Sequence, residues 1–538
     1  MTTTSDIIGK RLYDAGCRHA FGIPGGEVLS LMDGLGKAGI AFHLVKHENA
    51  GGFMAEGTYH ATGAPGILVA TVGPGVVNAV NVVANAWQDQ VPMIFLTGCV
   101  DAAEAETYTH QVFDHTKVIA PICKASMVAA EGAVDVMIDK AVAIAMQDPP
   151  GPVHLDVPIN IAGKEAKVTG YPGRAAMSKT APAPGPDLDR ARDAIANAQR
   201  PLMIAGVEVL HHNAARVIDE AVHRLNMPIL TSYKAKGVVS EDDPLCLGGH
   251  GLSPKSYKAL KPMLDDADVI VLAGYDPIEM RIDWRNAWPT GIDGKTVIEI
   301  SAQPNTHYVH QADLSFVCDV GEGIRTLTAG INGKETWAGD GIAKMQAILK
   351  DAFPRDEAWG PAAVIDSARK AFPKNGFAAV DTGAHRILLS QQWDCYQPRT
   401  LTQSTGLCTM GCALPLAMGH KIAHPETPVI AFTGDGGMEM ILGELATLRD
   451  MRLPVVIVVF VDQSLSLIEL KQRANTQDNL GVDFGGTDFA ALANVMGGIG
   501  VTAADRETLE KAIADGLEAD TFTLIACPIG RKAYDGRF

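Results

Sequence analysis

Two short runs in the last third of the chain carry residues suited to chemistry. Thr433-Gly434-Asp435-Gly436-Gly437 follows the apolar run 428–432, and Val461-Asp462-Gln463-Ser464 closes the β-branched run 453–460. Glycines let backbone N–H groups approach an anion, and a strand-to-helix turn adds a helix N-terminus. Asp435 and Asp462 offer hard oxygen ligands, and the helix-then-strand segment between them can bring them together. Such a pair suits a divalent cation held against a diphosphate. The 24 residues 437 to 460 separate Gly436 from Val461. A third carboxylate, Glu48, follows the apolar run 42–45 and precedes Asn-Ala-Gly-Gly, small residues that admit a ring closely.

The elements around these residues alternate between strand-like and helix-like. Apolar runs at 20–23, 42–45, 66–71 and 92–97 stop at Pro24-Gly25-Gly26, His47-Glu48, Gly73-Pro74-Gly75 and Gly98. Runs that end at Gly or Pro and then begin a helix are the pattern of βα units on a parallel sheet. Ligands of such sheets gather at the carboxyl ends of the strands. Residues 1–165 form the first such unit, and 166–187, rich in Pro, Gly and Ala, reads as a linker. A second unit, 188–335, carries strands at 201–205, 228–230, 268–273 and 296–300, and a weaker break follows near 332–341. The third, 350–538, carries strands at 376–380, 428–432, 453–460 and 523–527. The expected fold class is α/β, with three doubly wound parallel-sheet domains similar to one another.

The bulk composition agrees. The 538 residues are 47% hydrophobic, too many for one core and enough for about three domains. A net charge of −17 with no basic block argues against nucleic acid or anionic membranes as partners. No apolar run is long enough to span a bilayer, and the N-terminal Met-Thr-Thr-Thr-Ser-Asp has no signal-peptide pattern, so a cytoplasmic enzyme is expected. The 9 cysteines are scattered without a Cys-x-x-Cys pair and read as reduced thiols.

Five motifs in order resemble those of thiamine diphosphate (thiamine pyrophosphate, ThDP) enzymes of the acetolactate synthase-like group. They are Phe21-Gly-Ile-Pro-Gly-Gly26, His47-Glu48-Asn-Ala-Gly-Gly-Phe-Met54-Ala-Glu56-Gly57, Thr71-Val-Gly-Pro-Gly-Val-Val-Asn78, Gly406-Leu-Cys-Thr-Met410-Gly-Cys-Ala-Leu-Pro415 and the Gly-Asp-Gly run with its partner loop. The resemblance covers the whole chain. It implies a pyrimidine-binding first domain, a central domain and a diphosphate-binding third domain, with ThDP and Mg2+ as cofactors.

It also implies roles. Glu48 would hydrogen-bond the cofactor's aminopyrimidine, from a buried position that favours a shared proton. Asp435, Asp462 and the carbonyl of Ser464 would hold Mg2+. Gly434, Gly436, Gly437, Leu465, Gly383 and His385 would meet the cofactor, mostly at its diphosphate. Met410 would wedge it into a bent shape, and the carbonyl of Gly406 or of Cys408 would accept from its amino group. Ile23, Gly25 and Gly26 belong to the substrate end. His110 and Gln111 are catalytic candidates, with a surface loop as the other reading. Glu56 reads as a helix-surface or packing carboxylate. The family's Asn-Asn pair is here Val461-Asp462, which puts an extra charge beside the diphosphate.

The implied reaction is decarboxylation of a 2-oxo acid followed by ligation to a second carbonyl. Pyruvate-decarboxylase-type enzymes carry Pro-Gly-Asp and His-His-Thr where this chain has Pro24-Gly25-Gly26 and no such histidine pair, which disfavours simple aldehyde release. A non-oxidative decarboxylase is the alternative, and a catalytically silent ThDP-binding paralogue is a third reading that intact Glu48 and Asp435 oppose. Gly274-Tyr-Asp-Pro-Ile-Glu-Met-Arg281-Ile-Asp-Trp284 departs from the pattern of FAD-binding relatives, which argues against FAD. In the family the glutamate and the diphosphate loop come from different subunits, so a homodimer is the minimum assembly expected, with a tetramer as its extension.

Overall fold

Alternating apolar runs and Gly- or Pro-ended turns build three six-stranded sheets in which every neighbouring pair is parallel. The computed structural model describes residues 2–170, 177–278, 280 and 284–538. The first sheet holds β1 (His19–Ile23), β2 (Ala41–Leu44), β3 (Gly66–Ala70), β4 (Met93–Cys99), β5 (Ala125–Val128) and β6 (Pro152–Pro158), in the order β2-β1-β3-β4-β6-β5. The second holds β7 (Pro201–Ala205), β8 (Ile229–Ser232), β9 (Cys246–His250), β10 (Val269–Ala273), β11 (Thr296–Ser301) and β12 (Leu314–Val317), in the order β12-β11-β10-β7-β8-β9. The third holds β13 (Phe377–Val380), β14 (Leu401–Gln403), β15 (Val429–Gly434), β16 (Val456–Val461), β17 (Ile499–Thr502) and β18 (Thr523–Pro528), in the order β14-β13-β15-β16-β18-β17.

The first and third sheets therefore repeat one order. The second follows the order of dinucleotide-binding folds instead, so the expected likeness of all three units holds for two of them. In the third sheet the order reverses between β13 and β15, and ligand crevices form at such switch points. Pairing of Gly434 with Phe460 brings the ends of β15 and β16 side by side, so the two motif loops leave adjacent strands.

Six strands escape the sequence pattern. β5, β9, β12, β14 and β17 are short and stand at sheet edges, where one side needs no apolar partner. β6 is interior, but its run Pro-Val-His-Leu-Asp-Val-Pro is interrupted by two polar residues. Burial of His154 and Asp156 is offset by Thr97, whose hydroxyl donates to Asp156 at 2.6 Å and meets His154 at 2.7 Å.

The helices Glu48–Thr62 and Ala413–Ala423 join the first and third units. Glycines allow the close crossing: a Cβ on Gly419 would stand 1.9 Å from the Met54 carbonyl oxygen, and one on Gly57 2.3 Å from that of Leu416. Phe53, Met54, Leu416, Met418 and Met438 thus share one core across the two units. Among the described residues no helix is long and apolar enough to cross a membrane. The 9 cysteines are all free. Within the expected linker, residues 166–170 have no regular structure and fasten to the first unit through Thr169, whose N–H donates to Asp135 at 2.8 Å. Residues 171–176 of that linker lie outside the described residues, as do Glu279, Arg281, Ile282 and Asp283 of the run that argues against FAD.

Candidate active site

The loops after β13, β15 and β16 meet at the carboxyl edge of the third sheet. Asp435 opens the short helix Asp435–Glu439, and its carboxylate reaches across to the neighbouring strand end. Oδ2 accepts from the N–H groups of Asp462 at 3.0 Å and Gln463 at 2.7 Å, and Oδ1 accepts from Gly436 at 2.8 Å. Asp462 accepts from the Ser464 N–H at 3.3 Å and from the Ser466 hydroxyl. Burial pushes Asp462 up to about 6, and the neighbouring Asp435 charge adds to the rise. Burial also raises Asp435, against the pull of its three N–H donors. Two carboxylates held side by side in this way suit a hard divalent cation, with the Ser464 carbonyl on the same loop. Among the described residues no group of three or more His, Cys, Asp or Glu side chains could hold a metal, so further oxygen ligands must come from backbone, phosphate or water.

Asp381 ties the loops together, a role the sequence reading missed. Fully buried at the end of β13, it accepts from Gly411 N–H and Thr382 N–H, each at 2.8 Å, and from the Thr433 hydroxyl at 2.9 Å. Gly437 is glycine for a steric reason, because its Cβ would stand 2.4 Å from Asp381 Oδ2. A polar residue at the end of an apolar strand beside a Gly-rich turn was the available signal.

Of the expected cofactor residues, Gly383, His385, Met410, Gly434, Asp435, Gly436, Gly437, Asp462, Ser464 and Leu465 line one cavity of about 120 Å³. A Cβ on Gly436 would lie 3.2 Å from Leu465 Cδ2 and 3.6 Å from Met410 Cε, so these side chains close around the turn. His385 is buried and stacked on Phe460 at 5.3 Å, and burial, reinforced by Arg386, pushes it down to about 3. The ring is neutral, and its buried Nε2 has no protein partner, nor has the buried Thr382 hydroxyl. Both residues line the cavity. Buried polar groups are seldom left unpaired, so these atoms point to a polar ligand. Tyr534, from the C-terminal tail, closes the cavity and was not foreseen.

Gly406 and Cys408 do not line this cavity. They lie on the loop leading to Met410, packed on the helix Pro74–Gln88 of the first unit, where a Cβ on Gly406 would stand 2.4 Å from Gln88 Cβ. Cys408 has a left-handed backbone, φ 54°.

Glu48 lies at the carboxyl edge of the first sheet instead. It opens the helix Glu48–Thr62 and is 3% exposed. Asn78 Nδ2 donates to its Oε2 at 3.0 Å, and Oε1 stands 3.1 Å from where a Cβ on Gly75 would be. Ile23 ends β1, and Gly25 and Gly26 follow it across the switch point from Thr71, whose hydroxyl fills the space of a Cβ on Gly25 and donates to Glu27 at 2.7 Å. His110 and Gln111 are exposed, and the Gln111 backbone covers the Gly73 turn. Glu56, two turns beyond Glu48, is 1% exposed and pushed up to about 8, chiefly by burial, so it is a packing carboxylate.

The chain as a whole matches three descriptions of one family. "Thiamine pyrophosphate enzyme, N-terminal TPP binding domain" matches residues 2–118, the central domain of the same family 188–327, and its C-terminal TPP binding domain 381–527. The chain belongs to the thiamine pyrophosphate enzymes. Within that family it is distantly similar to acetolactate synthases. It is 26% identical over 541 residues to acetolactate synthase of Bacillus subtilis (strain 168), covering 98% of this chain and 93% of that protein. It is 27% identical to the isozyme 3 large subunit of acetolactate synthase of Escherichia coli (strain K12), covering 96% and 92%. To the probable acetolactate synthase large subunit of Methanococcus aeolicus it is 29% identical, covering 89% and 84%. The C-terminal TPP binding match begins at Asp381, the residue that organises the cavity, and includes both motif aspartates. The N-terminal match contains Glu48, Asn78 and the turn between them.

Proposed function

We propose that this thiamine pyrophosphate enzyme uses ThDP and Mg2+ to decarboxylate a 2-oxo acid and join the remaining fragment to a carbonyl acceptor. The observation that carries the reading is the meeting of Asp435 and Asp462 in a cavity whose buried His385 Nε2 and Thr382 hydroxyl have no protein partner. Mg2+ would take oxygens from Asp435, Asp462 and the Ser464 carbonyl, and the diphosphate would take His385, Thr382 and the backbone at Gly436 and Gly437. When bound, ThDP supplies a nucleophilic carbon and an electron sink for loss of carbon dioxide. Glu48 would hold and exchange a proton at the aminopyrimidine, with Asn78 fixing one carboxylate oxygen and Gly75 leaving room at the other. Met410 and Leu465 would hold the cofactor in a reactive bend.

Ligation rather than aldehyde release is supported by the scarcity of proton donors at the substrate end. Gly25 and Gly26 carry no side chain, and Glu27 is engaged by Thr71. His115 is buried with both ring nitrogens in use, accepting from Gly73 N–H at 3.3 Å and paired with Asp156 at 3.1 Å. The similarity to acetolactate synthases points the same way. A homodimer supplying Glu48 from one chain and the diphosphate loop from the other is supported by Glu48's absence from the cavity lining. Apolar side chains exposed near the two half-sites, Met440 at 65% and Val77 at 54%, suit a covering partner.

The test is to incubate the protein with ThDP, Mg2+ and a panel of 2-oxo acids, and to follow carbon dioxide, aldehyde and acyloin by NMR. Carbon dioxide with a ligation product is expected. Carbon dioxide with aldehyde alone would establish the decarboxylase alternative, and no turnover with any donor would overturn both.

A further inference from the structure

The loop 404–410 carries Gly406, Cys408 and Met410, yet its shape is imposed from three other parts of the chain, two of them outside the third unit. Asp89, at the C-terminal end of the helix Pro74–Gln88, accepts from Gly406 N–H at 2.7 Å and from the Thr405 hydroxyl at 2.6 Å. Thr405 N–H donates to its other oxygen at 3.1 Å. Lys234, on the turn after β8 of the central unit, lies 3.0 Å from Asp89 Oδ1 and donates to the Asp89 carbonyl at 2.9 Å. The remainder of the loop is held by Arg386, which donates to the Ser404 carbonyl and, at 3.3 Å, to Cys408 Sγ, and by Ser404 itself. Ser404 accepts from Thr409 N–H at 2.9 Å and donates to Asn85 at 2.6 Å, one helical turn before Asp89.

The Asp89 side chain is 1% exposed and that of Lys234 13%. A buried carboxylate stripped of its cation becomes an uncompensated charge, and it answers by taking a proton or moving toward water. Either response loosens its hold on Thr405 and Gly406, because a protonated carboxyl accepts more weakly. Burial alone would raise Asp89, and Lys234 together with the Thr405 and Gly406 donors reverses this, so the carboxylate stays ionised. None of Asp89, Lys234 or Thr405 lines the cavity of Asp435 and Met410, so any effect on a ligand there passes through the loop.

We propose that Lys234 and Asp89 form a positioning pair that holds the 404–410 loop in its cofactor-binding shape, which makes the central unit, though it supplies none of the cavity residues, a determinant of ThDP affinity. The inference rests on the reading that this loop meets the cofactor. The energetic argument is a population one. Apparent affinity falls by the fraction of molecules whose loop is in the competent shape, and losing one charge-assisted hydrogen bond is enough to lower that fraction about tenfold.

The experiment is calorimetric titration of ThDP, at saturating Mg2+, into the metal-stripped full-length protein and its Lys234→Met, Thr405→Val and Thr405→Ser variants, with hydrogen–deuterium exchange of the 404–410 amides. Lys234→Met and Thr405→Val should each weaken ThDP binding about tenfold and speed exchange in the loop, and the double variant should fall short of the product, because both act through Asp89. Thr405→Ser keeps the hydroxyl and should stay within about twofold of the parent. A dissociation constant unchanged in Lys234→Met, or in Thr405→Val, would overturn the inference, even if thermal stability drops or the loop exchanges faster. If Lys234→Met fails to fold, Lys234→Gln takes its place, since only a change at Lys234 tests the part played by the central unit. A parent protein that binds no ThDP would instead sink the functional reading, and the inference with it.

Discussion

Replacing Asp462 by Asn separates the charge of this position from its shape. In the metal-free protein burial holds the carboxyl at about 6, against the ordinary value of 3.8 for an aspartate. At about 1.4 kcal/mol per pKa unit, ionised Asp462 penalises the metal-free fold by up to about 3 kcal/mol at neutral pH. The sign follows from linkage. A folded pKa raised above the unfolded one contributes stability that is fully present below pH 3.8 and lost as pH rises through about 6. Asn keeps an oxygen for the Ser464 N–H and can donate to the Ser466 hydroxyl, so the packing survives. Asp462→Asn should therefore raise the melting temperature of the EDTA-stripped protein by several degrees at pH 7.5, and by little at pH 4. With millimolar Mg2+ and ThDP the difference should shrink or reverse, because a charged ligand binds the dication more tightly. Thermal unfolding at the two pH values, with and without Mg2+, measures all four cases. Equal stabilisation by Asn at both pH values, or none at pH 7.5, would refute the claim that burial holds the metal-free Asp462 carboxyl up.

Three further outcomes follow from other parts of the structure. Glu48→Gln should cut turnover by about a hundredfold or more while leaving ThDP affinity nearly intact, which paired kinetics and calorimetry would reveal; undiminished turnover removes Glu48 from the mechanism. Gly437→Ala drives a Cβ to 2.4 Å from Asp381 Oδ2 and should abolish saturable ThDP binding with little change in circular dichroism; normal binding would mean that the Asp381 cradle can yield. Gly419→Ala forces the Glu48–Thr62 and Ala413–Ala423 helices apart at a 1.9 Å contact and should cost about 1–3 kcal/mol of stability, read by denaturant titration; a neutral result would show that the helix crossing is loose.

Most of the chemistry-bearing strands were legible because buried parallel strands are continuous apolar runs that stop abruptly at glycine or proline. β15 is of that kind, ending at Gly434, and β16 is a continuous apolar run that stops instead at Asp462; Gly434 and Asp462 both line the cavity. β6 was not legible, because His154 and Asp156 break its apolar run and only the Thr97 contact in the neighbouring strand makes their burial tolerable. Five of the six edge strands were invisible for the opposite reason, having too little apolar surface to form a pattern, whereas the edge strand β2 keeps an apolar run at 42–45. Glu56 shows the same limit. Nothing in its local sequence distinguishes a solvated helix carboxylate from one buried beside Asn85 and Asp89.

The amino-acid sequence by itself determined the parallel α/β class, the family motifs in their order, and the residue types at each strand end, because these depend on local patterning and on spacing along the chain. Only the tertiary structure decided which of those residues meet. It set Asp435 against the backbone of the Asp462 loop, left His385 Nε2 and the Thr382 hydroxyl unpaired in the same cavity, and kept Glu48 out of that cavity. It also joined Asp89 and Lys234 to a loop more than 150 residues further along the chain. Such contacts arise from strand order and helix crossing, which bring distant segments together, and no local pattern encodes them.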